Sequence, residues 1–431
     1  MKARGQTLLF PELQSETSAR EDRSSTFVDN MSLPIHRWFR YSAGFSARWV
    51  EHTLRETGEA RDLTVFDPFA GSATTLLAAE SVGARSWGID SHPFVSRIAR
   101  AKLLWRSDVD AYLRKIQEIR QHADAHPAPE IQYPPLIYKC YDEMTLRELS
   151  ALRRAYEAIR DDTAASELAW LTLVAILRRV SAAGTAQWQY VLPKKRKRSP
   201  QSVRRAFSDC SQMIAADMSF AQSTNSHSPV FVESDARTCE GIPNNVANYV
   251  ITSPPYPNNY DYADAARLEL SFLGEISGWG DLQSKIRTHL VRSCSQHVPQ
   301  SAVQLEEVLS ADELTPVRDE LTAVCNQLSE IRVTKGGKKT YHLMIACYFY
   351  DLARVWLSLR RVCLDGATVC FVIGDSAPYG VYVPVISWLS SLAQAAGFGD
   401  ARFEKTRDRN VKWKNRKHRV PLVEGRLWLK G

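Results

Sequence analysis

The stretch DPFAGSATTLLAAE, running from Asp67 to Glu80, decides the fold. It starts at the end of an apolar run, Thr64 to Asp67, that reads as a buried strand, and it passes through small residues into a helix from Ala73 to Ser81. The pattern then repeats, with Ser86 to Asp90 as a strand and Pro93 to Leu104 as a helix. Strand, turn and helix in alternation predict an α/β fold, a Rossmann-like sheet with helices on both faces. Open sheets of this kind bind ligands at the carboxyl ends of their strands, where this turn stands.

Working outward, residues 1–30 are polar and rich in Ser, Thr, Arg and Glu, and are expected to form a flexible arm. Residues 31–105 hold the first part of the core. Across 106–229 the strand signal nearly vanishes, and TLRELSALRRAYEAIR and SELAWLTLVAILRRV show helical apolar spacing, so a mainly helical insertion is expected. The sheet pattern resumes at VFVESDA (Val230 to Ala236) and NYVITSPPY (Asn248 to Tyr256). Residues 230–431 thus read as the second part of the core, with a further helical insertion at 264–339 that ends in the basic loop KGGKK. A long helix from Tyr341 to Arg361, the strand ATVCFVIGDS, the helix VPVISWLSSLAQAAGF and the strand GRLWLKG complete it.

With 431 residues, 44% of them hydrophobic, the chain exceeds a small binding module and accommodates a full enzyme core with additions. The formal charge of +7 is mild, but its excess is concentrated in two segments. The eight cysteines form no CxxC pair and have no companion histidines at zinc-ligand spacing, so free thiols in a reducing cytoplasm and no metal are expected. The first thirty residues lack an apolar h-region, and runs such as Ala169 to Leu177 are too short to span a bilayer. A cytoplasmic protein without membrane contact is the expectation.

Three strand ends carry acids. Ala70, Gly71 and Ser72 let the backbone pass close to a cofactor, and Asp67 can hydrogen-bond a cationic amino group. Asp90, in SWGIDSHP, stands where a carboxylate can accept both ribose hydroxyls of a nucleoside. A dinucleotide site would share that acid, but FAGSAT lacks G-x-G-x-x-G, so an adenosyl group without phosphates fits better. Asp235 suits an adenine amino group. Singly, such acids are commonly helix caps or loop residues; at successive strand ends they point to a nucleoside cofactor. The candidate pocket is Tyr41, Phe45, Asp67, Phe69, Ala70, Gly71, Ser72, Thr74, Asp90, Ser91, Asp235 and Ala236. The other rings near its start, Trp38, Phe39 and Trp49, read as core.

TSPPY, Thr252 to Tyr256, follows the next strand. A double proline often does no more than end a strand, since proline cannot donate to a sheet ladder. Here it suits a reaction. An exocyclic amino nitrogen on a base is conjugated with the ring and poorly nucleophilic, so a catalyst must accept hydrogen bonds from its protons. Ser253 and the carbonyl of Pro254 can accept them, Pro254 and Pro255 stiffen the loop, and Tyr256 offers a flat face to an extruded base. Direct in-line transfer then needs neither metal nor covalent adduct.

At these residues the sequence resembles the amino-methyltransferases that modify DNA at cytosine N4 or adenine N6. DPFAGSAT is similar to their first motif, Asp90 and Asp235 stand where the second and third carry acids, and TSPPY is similar to their catalytic tetrapeptide with its preceding residue. RYSAGFSARWVE resembles the helix start that closes over the methionine part of the cofactor, and GATVCFVIGDS and VEGRLWLKG look like late core strands. The resemblance implies a class I methyltransferase fold, S-adenosyl-L-methionine as cofactor and sequence-specific action on double-stranded DNA. It also implies that any restriction or defence partner is a separate chain, because no nuclease motif is evident. Serine at the head of the tetrapeptide is more typical of cytosine N4 enzymes, and Asp or Asn of adenine N6 enzymes. Attack on cytosine C5 is disfavoured because no Pro-Cys dipeptide occurs. The insertion at 106–229 departs from the usual layouts and is the candidate DNA-recognition region. An RNA or protein amino-group methyltransferase is the second reading, and a non-catalytic nucleic-acid binder the third.

Lys194, Lys195, Arg196, Lys197 and Arg198, with Arg204 and Arg205 and close to Trp188 and Tyr190, form a candidate phosphate contact. A solvated loop is the alternative. ARFEKTRDRNVKWKNRKHR repeats the feature with Trp413 embedded. Tyr260, Asp261 and Tyr262 either pack under the catalytic loop or guide the base.

Overall fold

Strands buried on both faces need mostly apolar side chains, and runs such as TVF from Thr64, YVI from Tyr249 and TVCFVI from Thr368 supply them. In the computed structural model, which describes residues 27–126, 131–186, 189–197, 199–223, 226–298, 303–335, 340–409 and 420–431, seven strands form one sheet. The sequence readings that fall on residues 1–26, Trp188, Arg198, residues 336–339 and the stretch around Trp413 lie outside the described residues.

The first half supplies helix α1 (Ala47–Glu56), strand β1 (Thr64–Asp67), α2 (Thr74–Ser81), β2 (Arg85–Asp90) and α3 (Pro93–Leu103). Next come α4 (Val109–Ala125), α5 (Pro135–Cys140), α6 (Glu143–Ile159), α7 (Ala164–Val180), the short strands β3 (Ala183–Thr185) and β4 (Val191–Arg196), and α8 (Val203–Ala221). The sheet resumes with β5 (Val230–Glu233) and β6 (Ala247–Thr252). A connection with α9 (Tyr262–Ala265), α10 (Arg267–Leu273), α11 (Trp279–Lys285), α12 (Leu305–Leu309) and α13 (Arg318–Ile331) follows. Then come α14 (Tyr341–Val362), β7 (Cys363–Gly374), α15 (Val385–Ala395), β8 (Gly399–Arg409) and β9 (Leu422–Lys430).

The sheet order is β5-β2-β1-β6-β7-β9-β8. The first five strands are parallel, β9 runs antiparallel to β7, and β8 antiparallel to β9. Chain order reverses between β1 and β6, so a crevice opens at their carboxyl ends. The expected Rossmann-like sheet is present, and side chains alternate across it. Val65, Tyr249, Ile251 and Cys370 share a cluster with α1 and α2, while Phe66, Val250, Val369 and Phe371 join the cluster built on α13, α14 and α15.

Helices α4, α6, α7 and α8 pack on one another, and α7 also packs on α3. Their buried residues form one continuous cluster with Leu76, Phe94 and Ile98 of the sheet-flanking helices. Capping sets several of their starts: Asp108 accepts from the backbone of Asp110 and Ala111, and Asp142 from that of Thr145. Among the described residues no helix is long and apolar enough to cross a membrane.

Two readings need correction. ARFEKTRDR, read as a basic run, is the edge strand β8, where Arg407 pairs with Glu424 at 2.7 Å and Lys405 with Asp408 at 2.7 Å. Charged side chains protect an exposed strand edge, and here they disguise the strand. The run from Lys194 to Arg196 is likewise no loop, because it lies in β4, paired with β3.

Candidate functional site

The β1–α2 turn is tight for steric reasons. Gly71 has φ +53, and a Cβ there would lie 2.8 Å from Cε1 of Tyr41, so a side chain meets both backbone strain and a ring. Asp90, ending β2, secures the turn: its Oδ2 accepts from the Gly71 amide and its Oδ1 from the His92 amide, each at 2.9 Å. Burial pushes the Asp90 carboxyl up to about 6, against those two hydrogen bonds.

A cleft of about 770 Å³, open mouth included, lies over this turn. Tyr41, Phe45, Phe69, Ala70, Gly71, Ser72, Thr74, Asp90, Ser91, Asp235 and Ala236 all line it, brought together from residues 41–91 and from just beyond β5.

Asp67 is the exception and corrects the expectation of an amino-group ligand. It does not line the cleft. Its Oδ1 accepts from Thr252 Oγ1 at 2.6 Å and from the Phe69 amide at 3.0 Å, and its Oδ2 from Thr75 Oγ1 at 2.5 Å. The carboxylate is thereby committed to joining the tips of β1 and β6 to α2. Burial raises it to about 6, while Thr252 and Thr75 oppose the rise.

Asp235 lines the cleft but is shared. Arg237 grips it in a bidentate pair, Nη2 to Oδ2 at 2.5 Å and Nε to Oδ1 at 3.0 Å, and also reaches Asp351, which Arg292 holds as well. No spacing in the sequence announces this network.

The sequence reading missed Ala43, Gly44, Pro68, His92, Leu290 and Val291, which also line the cleft. His92 neighbours Asp90 and was open to notice; Leu290 and Val291 belong to the long connection after β6 and carry no local signal. His92 is buried with both ring nitrogens lacking a partner, and Ser72 Oγ is buried and unpartnered too. Burial pulls His92 down to about 4, so its ring is neutral and offers one donor and one acceptor. Buried polar atoms left unsatisfied around a cavity are what a polar ligand would satisfy.

Of the loop after β6, Ser253 and Pro255 line the cleft, whereas Pro254 and Tyr256 do not. Ser253 Oγ donates to the Val372 carbonyl at 3.2 Å, and its side chain is also hydrogen-bonded with that of Tyr256, which leaves a lone pair of its two for a further donor. Tyr256 is half-buried against the α14 cluster, and the Arg409 guanidinium stands 5.2 Å from its ring centroid. Tyr262 does line the cleft, and Tyr260 packs edge-on against it at 4.5 Å between centroids.

Asp261, Cys294 and His297 bring ligand-type atoms within 4.8 Å of one another. Arg287 engages Asp261 at 2.5 Å and His297 Nε2 stands 3.2 Å from it, so this group is a buried ion-pair network rather than an open cation site.

Of the predicted basic run, Lys194, Lys195 and Arg196 are exposed. Lys197 turns inward and donates to the Arg178 carbonyl. Arg204 pairs with Asp124 at 2.7 Å and Arg205 with Asp209 at 3.6 Å.

No family model matches the chain, and no solved structure matches it. Among curated proteins, the type II methyltransferase M.BsoBI of Geobacillus stearothermophilus is 25% identical over 425 residues, covering 89% of this chain and 82% of that protein. The type II methyltransferases M.AvaI of Nostoc sp. and of Anabaena variabilis are each 23% identical over 407 residues, covering 86% of this chain and 81% of theirs. Alignments this long take in both parts of the sheet and the helices between them.

Proposed function

We propose that this homologue of the type II methyltransferases is a DNA methyltransferase that uses S-adenosyl-L-methionine to methylate the exocyclic amino group of an extruded base, cytosine N4 first. One observation carries the reading: the Ser253–Pro255 loop opens into the same cleft as the Gly71 turn and Asp90, so a cofactor and an amino acceptor would meet there. When bound, S-adenosylmethionine supplies an electrophilic sulfonium methyl group.

The protein's own contribution is placement. Asp90 accepts ribose hydroxyls with the lone pairs that Gly71 and His92 leave free, and Ser72 and His92 satisfy their orphaned atoms on the ligand. Ser253 and the Pro254 carbonyl would accept hydrogen bonds from the target amino group, which lets the nitrogen lone pair localise toward the methyl. Tyr256, braced by Arg409, supports the base from the side. The helices from α4 to α8 and the exposed Lys194–Arg196 strand form the DNA-recognition side, and a cognate restriction enzyme would be a separate chain.

Nucleoside analysis of DNA incubated with enzyme and cofactor tests this, with N4-methylcytosine the expected product. N6-methyladenine would move the target base while leaving the acceptors in place. Methylation confined to RNA or protein pools, or 5-methylcytosine, would overturn the reading. Ser253→Ala and Tyr256→Ala should bind S-adenosylmethionine nearly normally and slow single-turnover methylation about tenfold or more, a loss of at least about 1.4 kcal/mol.

A further inference from the structure

Gln189 lies in the connection between β3 and β4, with φ +63 and 5% of its surface exposed. Its carboxamide spans two backbone groups on one segment. Nε2 donates to the Arg40 carbonyl at 2.6 Å, and Oε1 accepts from the Ser42 amide at 2.8 Å. The residue between them is Tyr41, whose ring forms part of the cleft wall over Gly71.

The Gln189 backbone is itself held, since Arg178 Nη1 donates to its carbonyl at 2.6 Å while Arg178 Nη2 bonds Glu269 at 2.9 Å. The next residue, Tyr190, accepts through its hydroxyl from the Asp261 amide at 2.7 Å, just beyond the loop of Ser253 to Tyr256. Val191 then opens β4, whose Lys194, Lys195 and Arg196 face solvent. One hairpin therefore has a basic strand, β4, preceded by two residues, Gln189 and Tyr190, bonded beside the cleft-lining Tyr41 and Tyr262.

We propose that Gln189 is a positioning residue that seats Tyr41 over the Gly71 turn and couples the basic hairpin to the cofactor cleft, so that DNA held on the hairpin tightens cofactor binding. This rests on reading the cleft as an S-adenosylmethionine site and the hairpin as a phosphate contact. Phosphate contacts fix the hairpin, the hairpin fixes Gln189, and Gln189 fixes the wall. Such coupling is reciprocal, and cofactor tightens DNA binding by the same factor.

The test is calorimetric titration of the full chain with S-adenosylmethionine, alone and with a random-sequence DNA duplex at low salt. For the unsubstituted chain the duplex should raise cofactor affinity about fivefold or more. Gln189→Ala should bind cofactor about tenfold more weakly, as for the removal of a buried hydrogen bond, and should lose the duplex effect. Gln189→Asn keeps the carboxamide on a side chain one methylene shorter, so it should fall between the two, and it carries the test if the alanine variant fails to fold. Unchanged cofactor affinity with an unchanged duplex effect in both variants would overturn the proposal and spare the functional reading, as would cofactor binding by the unsubstituted chain that no duplex alters. Failure of the unsubstituted chain to bind S-adenosylmethionine at all would overturn the functional reading and this proposal with it.

Discussion

Asp90 works as an acceptor only when ionised, yet burial raises its carboxyl to about 6. A carboxyl raised on folding takes up a proton between about pH 4 and about pH 6 that the unfolded chain has released, so its contribution to stability falls as pH rises through that window. Asp67, also raised to about 6, behaves alike. On the proposed reading ligand binding runs the opposite way, because ribose hydroxyls would need the ionised acceptor. Affinity for S-adenosylmethionine, measured by calorimetry from about pH 5 to about pH 8, should rise up to about 6 to 7 and then level. Asp90→Asn should weaken binding by about 1 to 3 kcal/mol and flatten the rise. A steep profile that survives the substitution would assign the titration to another group. The place of Asp90 beside the Gly71 turn was legible in the sequence because a strand end, an acid and a glycine turn lie within one unit. The network in which Arg237 bridges Asp235 and Asp351 was not, because Asp351 comes from α14.

At the scale of elements, the hairpin β3–β4 and the edge strand β8 show where pattern reading stops. Strands β1, β2, β6 and β7 sit inside the sheet and need apolar runs, which is why Thr64 to Asp67 is recovered residue for residue. Strand β8 pairs on one side only and carries Arg402, Glu404, Lys405, Arg407 and Asp408, so its periodicity is charge-masked and it reads as a basic tail. Leu290 and Val291 reach the cleft through tertiary folding of a long connection, which no window of sequence reports. The hairpin's exposed charges lead to a separate expectation. Replacing Lys194, Lys195 and Arg196 by Gln should weaken binding to cognate and random duplexes alike. It should also reduce the slope of log affinity against log salt by about 0.9 for each phosphate that is no longer neutralised. Lys197 is omitted because its amine is committed to the Arg178 carbonyl. An effect confined to one sequence would show that the strand reads bases, and no effect would return the run to ordinary surface.

Across the whole molecule, the segment that begins the cleft wall is anchored away from the sheet, on the helices inserted between β2 and β5. Asp217 of α8 is 2% exposed and accepts from the Ile35 amide at 3.1 Å, from Trp38 Nε1 at 2.9 Å and from Arg37 through Nε at 3.0 Å and Nη2 at 2.5 Å. Lys102 of α3, fully buried and drawn down to about 7 by that burial, donates to the His36 carbonyl at 2.9 Å. Residues 35–39 are thus clamped between α3 and α8, and their apolar members join the cluster that runs through α4, α6 and α7. The helical region consequently shares one core with the sheet-flanking helices α2 and α3, which favours its unfolding together with the sheet. Asp217→Ala leaves the Ile35 amide and the Trp38 indole buried without acceptors and the Arg37 charge unpaired, a cost of about 3 kcal/mol. Denaturant unfolding followed by tryptophan fluorescence and by far-UV circular dichroism should show one coincident transition in the parent chain, shifted to lower denaturant in the variant. Cofactor at about a hundred times its dissociation constant should restore about 2.7 kcal/mol, because the native cleft alone binds it. Two separate transitions in the parent would refute the shared core, and a variant as stable as the parent would show that the clamp on residues 35–39 is held elsewhere.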